Sequence, residues 1–234
     1  MNEIEFYNEL NKLGIILTNI QKEQLSKYYE YLIEYNSHTN VTSITEKNDV
    51  YLKHFYDSIL LSQTIDFNKI EKMLDIGCGA GFPGLVLKII FPHIHLTLLD
   101  SNNKKTTFCK NLIDIINVEN VEVINKRAEE YINEKREFYD LVTARAVKNL
   151  PVLNELSIPF VKENGYFIAM KSDYQEELEN SQNGIKILGG KYLGTKNINL
   201  PNNEGYRNFI IIKKQNKTDK KYPRVYNQIL KKPL

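Results

Sequence analysis

The segment DIGCGAGFPG, residues 75–84, stands between two apolar runs, KML before it and LVLKII after it. A strand that ends in a glycine-rich turn and continues as a helix commits a chain to β-α-β units, because parallel strands can be joined only through a crossover. The same alternation continues downstream with IHLTLLD, NNKKTTFCKNLIDIIN and VEVI. Further strands are expected at YDLVTARA (139–146) and GYFIAM, with a helix over about 150–161 between them, and at YRNFIIIKK. Short apolar runs alternating with helical stretches read as α/β layers around a parallel sheet. The last strand runs almost at once into a basic tail and is expected antiparallel at a sheet edge.

Two glycine patterns overlap in the turn. From Gly77 it is G-x-G-x-G; from Gly79 it is G-x-G-x-x-G, the dinucleotide fingerprint. Pro83 suits the first turn of a helix, where a missing N–H costs nothing, so the helix is expected to begin at about Phe82 with Gly84 inside it as a packing residue. The working loop is then Gly77, Gly79 and Gly81, preceded by Asp75. Asp100 follows the second strand, where a carboxylate can accept hydrogen bonds from both ribose hydroxyls of an adenosine. A bond of that kind contributes about 1.5–3 kcal/mol. Together these residues favour S-adenosylmethionine over a nicotinamide. The plainer alternative is a tight connection in which Asp100, Ser101 and Asn102 cap the next helix.

Upstream of the turn the chain reads as helical. TNIQKEQLSKYYEYLIEYNSHTN places Ile20, Leu25, Tyr28, Tyr29, Leu32 and Ile33 at three- and four-residue spacing, with Thr18 or Asn19 as the cap, and a second helix is expected at about 50–61. A chain of 234 residues buries about 70% of its unfolded surface, enough for one core. No apolar run has signal-peptide form or bilayer length, so the expected location is the cytoplasm. Cys78 and Cys109, with no C-x-x-C pair, read as reduced core residues.

Charge is uneven. Eight basic residues in 213–234 against Asp219 alone leave that segment at +7 and the rest of the chain at −5. Lysines near a phosphate backbone release condensed counterions, so a basic end on an acidic body suits a nucleic-acid partner. On that view Tyr222 and Tyr226 stack on unpaired bases. The competing view packs YPRVYNQIL back on the body through Tyr222, Val225 and Ile229.

The blocks YNSHTNVTSI, KHFYDSILL, DIGCGAGFPGLVLKIIFP, LLDSNNKKTTF, RAEEY, YDLVTARAV and KKYPR follow one another over almost the whole length. In them the chain resembles the RsmG (GidB) family, bacterial methyltransferases that modify N7 of one guanine in 16S ribosomal RNA. The resemblance implies an α/β, class I Rossmann-like methyltransferase with a seven-stranded, mostly parallel sheet and an N-terminal helical cap. Residues 1–62 would form the cap, 63–213 the S-adenosyl-L-methionine-binding core and 214–234 the basic tail. It implies cofactor contacts from Gly77, Phe82, Ala128, Glu129 and Arg145, to which the turn chemistry adds Gly79, Gly81 and Asp100. Asn40, His54, Asp57 and Lys171 are candidates for positioning the substrate; no catalytic side chain or metal ligand is expected. Helix packing by His54 and Asp57, and an ion pair of Arg145 with Glu129, stand as alternatives. The implied partner is 16S ribosomal RNA or the assembling small subunit, met by a monomer, with no membrane involved.

Guanine N7 carries a lone pair and no proton, so its methylation needs no general base, and holding two reactants in line supplies roughly 7–11 kcal/mol of the barrier. The sequence departs from the family pattern at Asn227 and Ile229, where a glycine and a proline are usual, and at Ser172, where glycine often follows Lys171. Two other functions share the glycine turn: methyl transfer to a small molecule or protein, and dinucleotide binding without methyl transfer. The first leaves the tail and N-terminal blocks unexplained, and the second lacks a substrate domain.

Overall fold

Polar caps and apolar faces set the N-terminal helices. In the computed structural model, which describes residues 1–145 and 148–234, α1 (Glu3–Lys12) opens with a capping box between Asn2 and Glu5. The next helix, α2 (Asn19–Asn36), opens with another between Thr18 and Gln21. Leu25, Tyr28 and Leu32 form the buried stripe of α2; Ile20, expected on that stripe, sits in the first turn and is exposed. The helix expected at 50–61 is a continuous rod of α3 (Lys47–Val50), a π-helical stretch (Tyr51–Tyr56), α4 (Asp57–Ile59) and a 3₁₀ turn (Leu60–Gln63).

From residue 72 the alternation read in the sequence appears as β1 (Lys72–Ile76), α5 (Gly84–Ile90), β2 (His95–Leu99), α6 (Asn103–Ile116), β3 (Val121–Ile124), α7 (Ala128–Lys135) and β4 (Tyr139–Arg145). The strand expected over 139–146 included Ala146, which lies outside the described residues. There follow α8 (Leu150–Ser157), β5 (Val161–Lys171), α9 (Gln175–Ile187), β6 (Gly190–Asn199), β7 (Tyr206–Lys214) and α10 (Tyr226–Lys231). One seven-stranded sheet results, ordered β3-β2-β1-β4-β5-β7-β6. The first five strands run parallel, and β7 pairs antiparallel with both β5 and β6. The last strand is therefore antiparallel but interior, not at the edge. Its Phe209, Ile210 and Ile212 are buried, whereas β6, largely exposed, takes the edge.

Helices cover both faces. Leu25, Phe55, Leu85 and Phe108 belong to the core on one side, and Tyr131, Leu153, Phe160 and Ile229 to the core on the other. Ile229 comes from the basic tail, which is docked. Tyr222 and Ile229 are buried, while Val225 is 67% exposed. Arg224 forks onto the buried carboxylate of Glu155, with Nε to Oε1 at 2.8 Å and Nη2 to Oε2 at 2.6 Å. Leu234 lies so close to α9 that a Cβ on Gly184 would sit 2.8 Å from its Cβ. Packing against the body thus accounts for Tyr222 and Ile229 but not for Val225.

Candidate functional site

β1 leaves the sheet between β2 on one side and β4 on the other, the switch point at whose carboxyl edge open α/β sheets hold ligands. Gly77, Gly79 and Gly81 all take left-handed backbone, with φ of +68°, +59° and +89°. The Gly77 amide donates to Leu99 O at 2.7 Å and ties the turn to β2. Helix α5 starts at Gly84, two residues later than expected. The backbone groups that would extend it towards Ala80 are engaged elsewhere: Tyr28 Oη donates to Ala80 O, and Gly84 N donates to Asp75 Oδ2 at 2.8 Å. A Cβ on Gly84 would lie 2.8 Å from that oxygen and 2.9 Å from Leu98 Cδ2, so this glycine serves packing, as its sequence context indicated. Burial pushes the Asp75 carboxyl up to about 8.

Asp100 braces the turn from β2, accepting from Gly79 N at 3.0 Å and from Asn102 N at 2.8 Å. The cap of α6 falls instead to Asn102, whose Oδ1 accepts from Lys104 N at 2.9 Å. Each Asp100 oxygen keeps a lone pair for a further donor.

Below the turn an aromatic and charged cluster fixes the cavity floor. The Phe82 ring stacks between Tyr28, 5.1 Å away at 3°, and His54, 4.3 Å away at 21°, with Arg145 Cζ 5.1 Å from its centroid. Arg145 Nη1 donates to Asp57 Oδ2 at 3.0 Å and to Lys53 O at 3.1 Å. Arg207 Nε approaches Asp57 Oδ1 at 2.7 Å from β7. The partner of Arg145 is therefore Asp57, on the N-terminal helices, and not Glu129. His54 Nδ1 lies 3.2 Å from both Arg145 Nη2 and Lys53 O, and its Nε2 lies 2.8 Å from Thr42 Oγ1, so both ring nitrogens are engaged. Burial, with the Arg145 charge beside it, pushes His54 down to about 3, so the ring is neutral.

Two cavities open around this cluster. The first, about 460 Å³, is lined by Gly77, Gly79, Phe82, Asp100, Ala128, Glu129 and Arg145 of the sequence candidates, and also by Thr42, Leu156 and Tyr226. Gly81 does not line it; a Cβ there would meet Tyr28 Oη at 2.7 Å. The second, about 790 Å³, is lined by Asp57, Lys171, Asn149, Asp173 and Arg207. His54, Arg145 and Lys148 line both. Lys171 Nζ sits 2.7 Å from Glu177 Oε2, which also accepts from Leu150 N at 2.6 Å and so holds the start of α8. Asn40 is exposed and lines neither cavity. Sequence reading missed Thr42, Lys148 and Arg207, and it gave Tyr226 to RNA bases where the structure sets it in the first cavity. Thr42 lies within a quoted block, YNSHTNVTSI, but nothing in the sequence marks Arg207 as the second partner of Asp57, which is 150 residues away.

Among known proteins, residues 21–204 match the family GidB, rRNA small subunit methyltransferase G. A ribosomal RNA small subunit methyltransferase G of Bacillus licheniformis is 48% identical over 237 residues, covering 100% of this chain and 99% of that protein. The protein of the same name from Bacillus subtilis is 46% identical with the same coverage. A solved SAM-dependent O-methyltransferase from Thermotoga maritima shares the fold at a TM-score of 0.53 and 12% identity, over 81% of this chain and 73% of that one.

Proposed function

The chain belongs to the rRNA small subunit methyltransferase G (GidB) family, and on that premise we propose that it methylates N7 of a guanine in 16S ribosomal RNA with S-adenosyl-L-methionine. The observation that carries the reading is the meeting of two cavities at His54, Arg145 and Lys148, on the carboxyl edge of the parallel strands. One chamber has room for a nucleoside cofactor, and the other for a base flipped from RNA.

The first cavity fits the cofactor. A Cβ on Gly79 would meet nothing nearer than Gly77 O at 4.0 Å, so the glycine leaves open space beside the turn. Gly77, Gly79, Phe82, Asp100, Ala128, Glu129 and Arg145 would hold the ligand there, with Asp100 as acceptor for ribose hydroxyls. When bound, S-adenosyl-L-methionine supplies an electrophilic methyl group on a cationic sulfur.

The remaining work is positioning. Both nitrogens of His54 are engaged and its ring is neutral, so it holds Phe82 and Arg145 in place and takes no proton. Asp57 fixes Arg145 and Arg207 at the border of the second cavity. Five cationic side chains there (Lys53, Arg145, Lys148, Lys171, Arg207) against three acids (Asp57, Asp173, Glu177) suit the phosphates flanking a target base. Among the described residues no helix is long and apolar enough to cross a membrane. We place the protein in the cytoplasm, acting as a monomer on 16S RNA or the assembling small subunit.

Methyl transfer from radiolabelled cofactor to deproteinised ribosomal RNA and to small subunits, followed by nucleoside analysis, tests this. The expected product is 7-methylguanosine, formed at a single-turnover rate that stays nearly flat from about pH 6 to 7.5. Label at another atom, or a rate rising log-linearly with pH, overturns it.

A further inference from the structure

Tyr226 opens α10 and is half-buried against the rest of the fold. Both flanks of the residue are pinned. Two positions earlier Arg224 forks onto buried Glu155, and three positions later Ile229 is fully buried. Arg136 Nη2 holds the Tyr222 carbonyl at 2.6 Å. Arg127, the cap of α7, places its Cζ 5.2 Å from the Tyr226 ring centroid. Tyr226 lines the first cavity together with Ala128, Glu129 and Leu156, none of which lines the second.

That placement has a chemical direction. A methyl donor must present its reacting end where the two cavities meet, at His54, Arg145 and Lys148. Asp100 stands at the end of β2, and Ala128 and Glu129 follow β3, one strand further out. The base of the nucleoside therefore falls at the far end, beside an aromatic ring whose position is fixed by the tail.

We propose that Tyr226, carried by the docked C-terminal segment, is a purine-stacking wall of the cofactor cavity. The inference rests on the reading that this cavity takes S-adenosyl-L-methionine. Aromatic rings and purines prefer offset or edge contacts that an aliphatic side chain does not reproduce.

Calorimetric titration of the full chain with S-adenosylhomocysteine and, separately, with adenosine tests the assignment in wild type, Tyr226→Phe, Tyr226→Leu and Tyr226→Ala. Tyr226→Phe should bind both ligands within about twofold of wild type, and the other two variants about tenfold more weakly. The melting temperature of ligand-free Tyr226→Phe and Tyr226→Leu should stay nearly unchanged. The loss must be the same factor for adenosine as for S-adenosylhomocysteine, because the ring is assigned to the base. If Tyr226→Ala fails to fold, Tyr226→Leu decides alone, since it keeps bulk and loses the ring face. Wild-type affinity in the leucine variant, or a loss confined to S-adenosylhomocysteine, overturns the proposal. A wild-type protein that binds neither ligand overturns the cofactor reading as well.

Discussion

At His54 the folded ring has a pKa of about 3 against an ordinary 6.5. Unfolding therefore takes up a proton between those values. With the folded pKa depressed, stability rises as pH climbs from about 3 to 6.5 and is lost on acidification below 6.5, at up to about 1.4 kcal/mol per pH unit. Urea unfolding of wild type and His54→Gln across about pH 4–7 should show the variant with the flatter curve; parallel curves would remove the depressed pKa. Asp100 yields to a second measurement. If its carboxylate accepts ribose hydroxyls, Asp100→Ala should weaken S-adenosylhomocysteine binding by about 1.5–3 kcal/mol, while equal binding sinks that placement. Asp100 was legible as a cavity residue because it follows the second strand of a β-α-β unit whose first strand runs into a glycine turn. Arg207 was not, because its role follows from β7 lying beside β5, a neighbour relation no local pattern encodes.

The strand–turn–helix element carries two kinds of glycine, and they should fail differently. A Cβ on Gly84 would strike Asp75 and Leu98 at 2.8–2.9 Å, so Gly84→Ala overpacks the sheet face at a cost of about 1–3 kcal/mol. Gly79 has open space around it but a φ of +59°, so Gly79→Ala strains the backbone by about 1–2 kcal/mol and projects a methyl toward the ligand. Thermal melts should register both variants, whereas S-adenosylhomocysteine affinity should fall mainly in Gly79→Ala. Had the turn followed the dinucleotide pattern, Gly84→Ala would lose ligand binding as severely. Six strands were readable because they are short apolar runs bounded by turns, with buried residues in every one but β3. The strand GKYLGTKNIN was missed: as an edge strand, β6 buries little beyond Gly190 and needs no such run. Helix α9 went unread for a related reason. Its sequence QEELENSQNGIKI buries only Ser181, Gly184 and Ile185, two of them small.

Over the whole molecule, the basic tail is divided between two tasks. Tyr222, Arg224 and Ile229 belong to the fold, and removing Arg224 would leave Glu155 as a buried, unpaired carboxylate, a loss of about 3–5 kcal/mol. Truncation therefore cannot isolate RNA binding, because it takes away stability and the cofactor wall together. Lys217, Lys220, Lys221, Lys231 and Lys232 are all exposed, and of these only Lys221 is ion-paired among the described residues, at 3.3 Å from the neighbouring Asp219. Replacing these five by glutamine removes charge and leaves the buried anchors in place, giving up only the contact of Lys221 Nζ 5.3 Å from the Tyr222 ring centroid, and exposed substitutions of this kind stay within about 0.5 kcal/mol each. If they face RNA, affinity for a 16S fragment should drop. The log–log salt slope should also become shallower, by about 0.7 for each single-strand phosphate no longer neutralised. Cofactor affinity should not move, because Tyr226 and its anchors remain. Unchanged RNA affinity with an unchanged salt slope would mean that the +7 segment is a solvated outer face and that the cations around the second cavity alone meet the RNA.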